Sequence, residues 1–271
     1  MKLCVLGSGS KGNAILLQSG STRLLIDAGF GTRTISKRLQ SIGVDPRSIH
    51  AVLVTHEHTD HARGAVAGAN RWGWQIFATA GTKGASPELS EAGVTTLVAN
   101  ECLKVGDAEI LPIATSHDAT EPVAVIATDV TNGVRAAIVY DLGMMSEPLQ
   151  RAIERVEILV IESNHDGEML RTGPYPASLK RRIAGAHGHL SNRSAALAAA
   201  RCAHPGLAHV VLAHLSEVNN TPGVATATMQ RALARTVFKG SVMAAAQGAP
   251  SRPVSAARCA GFAAVQLSLG L

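Results

Sequence analysis

Between residues 52 and 61 the apolar run Val52-Leu53-Val54 breaks into Thr55-His56-Glu57-His58-Thr59-Asp60-His61, so that four potential metal ligands fall within six residues. A chain built this way has to bring the end of a strand to a site. On extended backbone side chains alternate with period two, so His56 and His58 point the same way, while the turn that follows can carry Asp60 and His61 round to a second position. One loop can therefore feed two metals. With only eleven histidines in 271 residues, an HxHxDH spacing seldom arises by accident, and we read these residues as ligands, not as a His-rich surface loop.

The surrounding pattern indicates where that strand belongs. Short β-branched and leucine-rich runs at 2–6, 14–17, 22–26 and 51–54, divided by Gly and Ser turns, predict early, closely spaced strands. One helix interrupts them at 31–42, with Ile35, Leu39 and Ile42 on one face and Gly43 as its stop. Further strands are expected near 75–78, 109–114, 123–129, 134–139, 157–161, 208–213, 241–245 and 263–267, and helices at 62–72, 147–155, 176–186, 192–203 and 223–237. Strands that pair early and then alternate with helices in both halves predict two sheets face to face with helices outside, an αββα sandwich. No repeat or low-complexity linker divides residues 1–271, so a single domain is expected, with 244–258 as its one loose stretch.

Composition sets limits on the partner. At 46% hydrophobic and 17% charged residues the chain has material for a core. Aromatics are only 3%, which argues against stacking platforms for bases and makes any grip on nucleic acid electrostatic. The net charge of +5 favours an anionic partner. Cys4, Cys102, Cys202 and Cys259 show no CxxC spacing, so buried thiols are expected in place of a disulfide framework or zinc knuckle. The start of the chain lacks an apolar signal segment, and no run reaches the roughly 18 apolar residues of a membrane span, so a cytoplasmic protein without membrane contact is expected.

THEHTDH resembles the HxHxDH signature of the metallo-β-lactamase superfamily, and further motifs of that superfamily follow in order through most of the chain. Asp27 in LLIDAG resembles the aspartate of its first motif, which orients the ligand loop without binding metal. His117 in ATSHDATEP resembles the third-motif ligand, Asp141 after Ala137-Ile138-Val139-Tyr140 the bridging aspartate, and His214 after Val210-Val211-Leu212-Ala213 the last histidine ligand. The resemblance implies an α/β four-layer sandwich with two mixed sheets and two divalent metal ions, His56, His58 and His117 on one, Asp60, His61 and His214 on the other, Asp141 between them. Such ligands suit Zn²⁺, our preference, and also Mn²⁺ or Fe²⁺. SGSKGN, IESNHDGEML and GHLSN followed by LAHLSEVNN resemble the YycJ/WalJ-like branch, which implies processing of nucleic acid and a DNA exonuclease role. GHLSN also resembles the His-x-Ser/Thr element of tRNA 3′-processing nucleases, which makes His189 a candidate proton donor to the leaving oxygen, oriented by Glu162.

The implied enzyme is a metal-dependent hydrolase, a phosphodiesterase in which Asp60 and Asp141 position a metal-bridging hydroxide as nucleophile. A thioester or lactone hydrolase of the same fold uses the same attack and stays open as an alternative, as does a non-catalytic metal-stabilised binding module. Gly7-Ser8-Gly9-Ser10-Lys11-Gly12 matches a dinucleotide-loop pattern, but Ala14-Ile15-Leu16-Leu17 continues as strand where that loop must open a helix. We read a hairpin whose Ser10 or Asn13 can touch substrate. His165 is a further candidate for the pocket, whereas His50, His187, His204 and His209 read as surface or cap residues. Lys180, Arg181, Arg182, Arg193 and Arg201 form a solvated face or a phosphate stripe. The 73 positions from Asp141 to His214 leave no room for the cap domain of β-CASP nucleases, and the 24 from His117 to Asp141 hold no tRNA-gripping arm. Substrate must be gripped by the chain's own loops, by a homodimer or with a partner's help.

Overall fold

The structure, a computed structural model, describes residues 1–257. Two seven-stranded sheets organise it. The first runs, in spatial order, Val254–Ser255, Lys2–Gly7, Ala14–Ser19, Thr22–Ile26, Ala51–Leu53, Gln75–Thr79 and Val94–Leu97. The second runs Ser241–Ala244, His209–Ala213, Ile158–Glu162, Arg135–Val139, Val123–Asp129, Ala108–Ala114 and Leu103–Val105. Each sheet is antiparallel in one half and parallel in the other. In the parallel halves the strands that end at Ile26, Leu53, Val139, Glu162 and Ala213 release their loops at one edge, the usual place for a site in such sheets.

Residue alternation builds the layers. Leu3, Val5, Ile15, Leu17, Leu24 and Ile26 meet Val125, Ile138, Val160 and Val211 between the sheets. Their neighbours face outward. Cys4, Leu6, Leu25 and Val52 pack under Ile35, Leu39 and Leu89, while Ile126, Val139, Leu159 and Leu212 pack under Leu149, Ala195, Ala199, Met229 and Leu233. Each sheet therefore buries one face against the other sheet and one under helices, and helix, sheet, sheet, helix follow as four layers.

Several expected elements differ in detail. The helix expected over 62–72 is two pieces, Thr59–Ala62 and Ala65–Trp72, because Gly64 bends in so closely that a Cβ there would sit 2.1 Å from the Phe30 carbonyl oxygen. The helix expected over 223–237 ends at Leu233 and that over 176–186 at Ile183. Three short helices, Ala80–Ala85, Pro87–Glu91 and Gly167–Thr172, lie where none was expected. The stretch expected to be loose is anchored as far as it is described: Ser251 donates its amide to Val5 at 2.8 Å, and Val254–Ser255 pairs with the first strand. Cys4 and Cys202 are buried as expected but Cys102 is exposed, while Cys259 and the strand expected at 263–267 lie outside the described residues. Among the described residues no helix is long and apolar enough to cross a membrane.

Candidate metal centre

The HxHxDH loop leaves the strand Ala51–Leu53 and turns into the helical turn Thr59–Ala62. Asp27 holds it in place from beneath. Its Oδ1 accepts the Thr55 amide at 2.7 Å, and its Oδ2 accepts the Thr55 hydroxyl at 2.9 Å, the Tyr140 hydroxyl at 2.6 Å and His61 Nδ1 at 2.6 Å. Thr55 Oγ1 in turn lies 3.1 Å from His56 Nδ1. One buried carboxylate thus sets the rotation of His61 directly and of His56 through Thr55, and leaves Nε2 of each ring facing the site.

The remaining candidates arrive from the second sheet. His117 follows the strand Ala108–Ala114, and its Nδ1 lies 3.3 Å from the Gly188 carbonyl. The rings of His56, His58 and His117 surround one point, with centroids 4.6, 5.1 and 5.1 Å apart. Asp141 Oδ2 lies 3.6 Å from His56 Nε2 and 2.5 Å from His61 Nε2. Asp60 Oδ2 lies 3.6 Å from His61 Nε2 and 3.8 Å from His214 Nε2. Among the described residues three groups of donor atoms lie within 4.8 Å of one another: His56, His58, His117; Asp60, His61, Asp141, His214; and Asp141, Glu162, His189, His214, and the first two hold the proposed ligands. Every proposed ligand is in one of these first two, and Asp141 Oδ2 stands where they meet.

Strain accompanies this arrangement. Among the described residues only five other than glycine have positive φ, and Asp27 (62°), Asp141 (52°) and His214 (53°) are three of them. Each comes just past a strand in the parallel half of its sheet, and left-handed backbone there costs of order 1–3 kcal/mol, kept only because the surroundings over-determine it. Gly29 relieves a closer approach: a Cβ would stand 1.7 Å from the Asp60 carbonyl oxygen, which also accepts the Asn13 amide at 2.7 Å. Gly29→Ala is expected to displace the Asp60 loop and to destabilise the fold by about 1–3 kcal/mol or more, as overpacking does. An unchanged melting temperature would count against this reading of Gly29.

The electrostatics call for positive charge. Burial opposes the ionised form of Asp141, but His214 and His61 hold it well below the usual carboxylate range. Burial likewise opposes charge on His61, yet Asp141 and Asp27 hold it well above its ordinary value. His214 behaves in the same way beside Asp141, Asp60 and Glu162. Burial and the repulsion of His61 drive His56 well below, and burial lowers His117. Divalent cations fit the donors. Nε2 of His56 and of His214 are buried without a hydrogen-bond partner, a state that costs about 1–3 kcal/mol per atom when nothing else satisfies it. His214 Nδ1 lies between two carboxylates, 2.8 Å from Asp141 Oδ1 and 3.0 Å from Glu162 Oε1.

Glu162 Oε1 serves a second ring, His189 Nδ1, at 2.7 Å, while its Oε2 accepts the amides of Leu142 and Leu190 at 3.0 and 3.2 Å. Burial opposes the charge on His189, but Glu162 and Asp141 outweigh it and push the pKa up to about 9. Around this pair opens a cleft of about 250 Å³ lined by Ser10, His189, His214 and Ser216 among others. Asn13 is buried instead, its amide 3.0 Å from His61 Nε2 and its Oδ1 accepting Gly9 N at 2.8 Å, so it braces the glycine loop behind the ligands. His165 is buried beside Ser191 with Nδ1 unpartnered, outside all three donor groups, and burial lowers its pKa. Of the basic stripe only Arg182 lines the cleft; Lys180 is turned to the Arg171 carbonyl and Arg201 to Glu147. Thr55, Tyr140 and Asn164, whose Nδ2 donates to the His214 carbonyl at 2.9 Å, were not nominated from sequence, since nothing in their local spacing marks them.

Two seven-stranded sheets between helices, with histidine and aspartate clusters at one edge, define the class of αββα metallohydrolases. The chain belongs to the metallo-β-lactamase superfamily, whose model matches residues 7–143, and is a metal-dependent hydrolase. It is 34% identical over 84% of its length, and 88% of theirs, to an exodeoxyribonuclease YycJ of Bacillus anthracis. It is 32% identical to an exodeoxyribonuclease WalJ of Streptococcus pneumoniae serotype 2, over 86% of this chain and 88% of that one. The structure of the metallo-β-lactamase fold protein YhfI from Bacillus subtilis superposes with a TM-score of 0.66 at 20% identity, over 92% of this chain and 98% of that one.

Proposed function

We propose that the protein is a cytoplasmic two-metal phosphodiesterase that cleaves nucleic acid, in the manner of a DNA exonuclease. The observation that carries the reading is Asp141 Oδ2, placed within 3.6 Å of His56 and 2.5 Å of His61, one atom within reach of both donor groups. The relatives named exodeoxyribonucleases point to DNA as the polymer. A pair of divalent cations there would supply a nucleophile active near neutral pH and neutralise charge on a phosphodiester. Asp60 and Asp141 would hold that pair against the strand ends. His189, charged at neutral pH with Nδ1 on Glu162, holds a proton on Nε2 for the departing oxygen. Glu162 keeps both His189 and His214 in register. Imidazole and carboxylate donors suit zinc first, with manganese or iron as alternatives that metal analysis separates.

Protein purified with its metals is expected to degrade labelled DNA oligonucleotides, to lose the activity on chelation and to regain it with Zn²⁺ or Mn²⁺. A thioester run in parallel separates the carbonyl-directed chemistry. Turnover of the thioester, with no cleavage of single- or double-stranded oligonucleotides by protein carrying its full metal, would overturn the reading.

A further inference from the structure

Part of the lining of the cleft beside His189 and His214 is apolar. Tyr175, Leu179, Ile183 and Leu215 make up that part. Leu179 and Ile183 stand one turn apart on the helix Ala177–Ile183 and so share a face. That helix contains no buried residue, and its apolar face borders the cleft where most helices would contact a core. Apolar area left to water is unfavourable in proportion to its extent, so this face gains from any flat apolar ligand that covers it.

Tyr175 is set between Pro174 and Pro176. Proline fixes its own φ and drives the residue before it into extended backbone, so the phenol ring is carried on a stiff segment. At the same rim Arg182 places Nε and Nη2 on Asp118 Oδ2 at 2.9 and 2.6 Å. Its side chain is 69% exposed. Exposed ion pairs contribute little to stability, so turning the guanidinium from Asp118 to a phosphate is a small step, and the fork geometry of Arg suits that anion.

We infer that this wall seats the base of one nucleotide beside the scissile bond, with Arg182 on a neighbouring phosphate. The inference rests on the phosphodiesterase reading and specifies what that site grips. A cleft of about 250 Å³ falls below the roughly 300–1,000 Å³ of pockets that enclose drug-sized ligands. It has room for one base, with the rest of the strand left outside. Rings and methyl groups grip a base by its face, which every base offers, and this makes the seat tolerant of sequence. The scarcity of aromatics argued against any stacking platform, yet one of only two tyrosines in the chain stands in the cleft.

The test uses the metal-loaded protein and p-nitrophenyl esters that share a leaving group: methyl p-nitrophenyl phosphate and the thymidine 5′- and 3′-(p-nitrophenyl phosphates). Wild type is expected to prefer one thymidine ester over the methyl ester by about ten- to a hundred-fold in kcat/KM, the range that base–aromatic stacking supplies. Tyr175→Ala is expected to reduce that ratio at least about tenfold. Leu179→Ser, on a helix with no buried residue, is expected to reduce it in the same direction and keeps the question answerable if the tyrosine variant misfolds. A wild-type ratio near unity, or a ratio unchanged in both folded variants, overturns the base seat while leaving the phosphodiesterase intact. Failure of wild type on all three esters and on DNA overturns the underlying reading, and the base seat with it.

Discussion

Asp141→Asn is expected to lower phosphodiester hydrolysis by at least about a thousand-fold and leave the protein folded. Asn keeps the shape of the side chain and tolerates left-handed backbone such as the φ of 52° at this position. It removes the negative charge that stands 2.5 Å from His61 Nε2 and 3.6 Å from His56 Nε2. If that carboxylate joins two cations, its loss forfeits several kcal/mol of charge stabilisation in the transition state, and each 1.36 kcal/mol is about a factor of ten in rate. Metal content should fall with activity, from about two equivalents per chain toward one or none. Steady-state kinetics, metal analysis and circular dichroism on the same preparation decide it. A folded variant that keeps more than about a tenth of wild-type activity with two metals bound removes Asp141 from the centre of the reaction.

The convergence of these residues was legible because candidate metal ligands are particular side chains at short spacing. His56, His58, Asp60 and His61 are dictated by one loop, and His117, Asp141 and His214 each follow an apolar run that reads as a strand. All seven converge in the fold. Glu162 and His189 were legible as a pair and meet at 2.7 Å. The supporting shell was not. Tyr140 reaches Asp27 across 113 positions of sequence, and Asn164 reaches His214 across 50, so the first contact exists only once the two sheets face each other and the second only once the strands Ile158–Glu162 and His209–Ala213 lie side by side. Nor does the identity of an aspartate or histidine announce a positive φ; Gly would have signalled one at Asp27, Asp141 or His214.

Elements were legible in proportion to their length. The ten-residue helix Thr32–Ser41 places Ile35 and Leu39 in the core and ends before Gly43 at φ 75°. Pro87–Glu91 and Gly167–Thr172, of five and six residues, are too short for a 3.6-residue period to show and are set by their N-caps, Ser86 and Asp166, whereas the six-residue Glu147–Ala152 lies within the helix expected over 147–155. Val254–Ser255 is a strand only because Lys2 and Leu3 offer it a partner. The expectation of loose chain over 244–258 came from local composition, which is blind to such pairing.

Asp27→Ala is expected to weaken both the fold and the site, and by different routes. In the fold, Ala leaves the Thr55 amide, the Thr55 hydroxyl, the Tyr140 hydroxyl and His61 Nδ1 without their shared acceptor. Asp27, Thr55, His61 and Tyr140 are all buried, and each donor stranded in that way costs about 1–3 kcal/mol. Some of the loss is recovered where the Thr55 hydroxyl turns to His56, so about 4 kcal/mol in total is expected. For a chain of this size that lowers the melting temperature by roughly 10 °C. At the site, His61 and His56 lose the bonds that set their ring orientation, and loss of such an orienting partner weakens metal affinity by about 10–100-fold. Asp27→Asn separates the two effects: its amide oxygen still accepts from Thr55, so stability falls less, but its NH₂ cannot accept from His61 Nδ1, so metal affinity falls nearly as far. Thermal melts and metal titrations on the two variants check this. Equal metal affinity in wild type and both variants would mean that Asp27 supports the sheet edge and leaves the ligands alone.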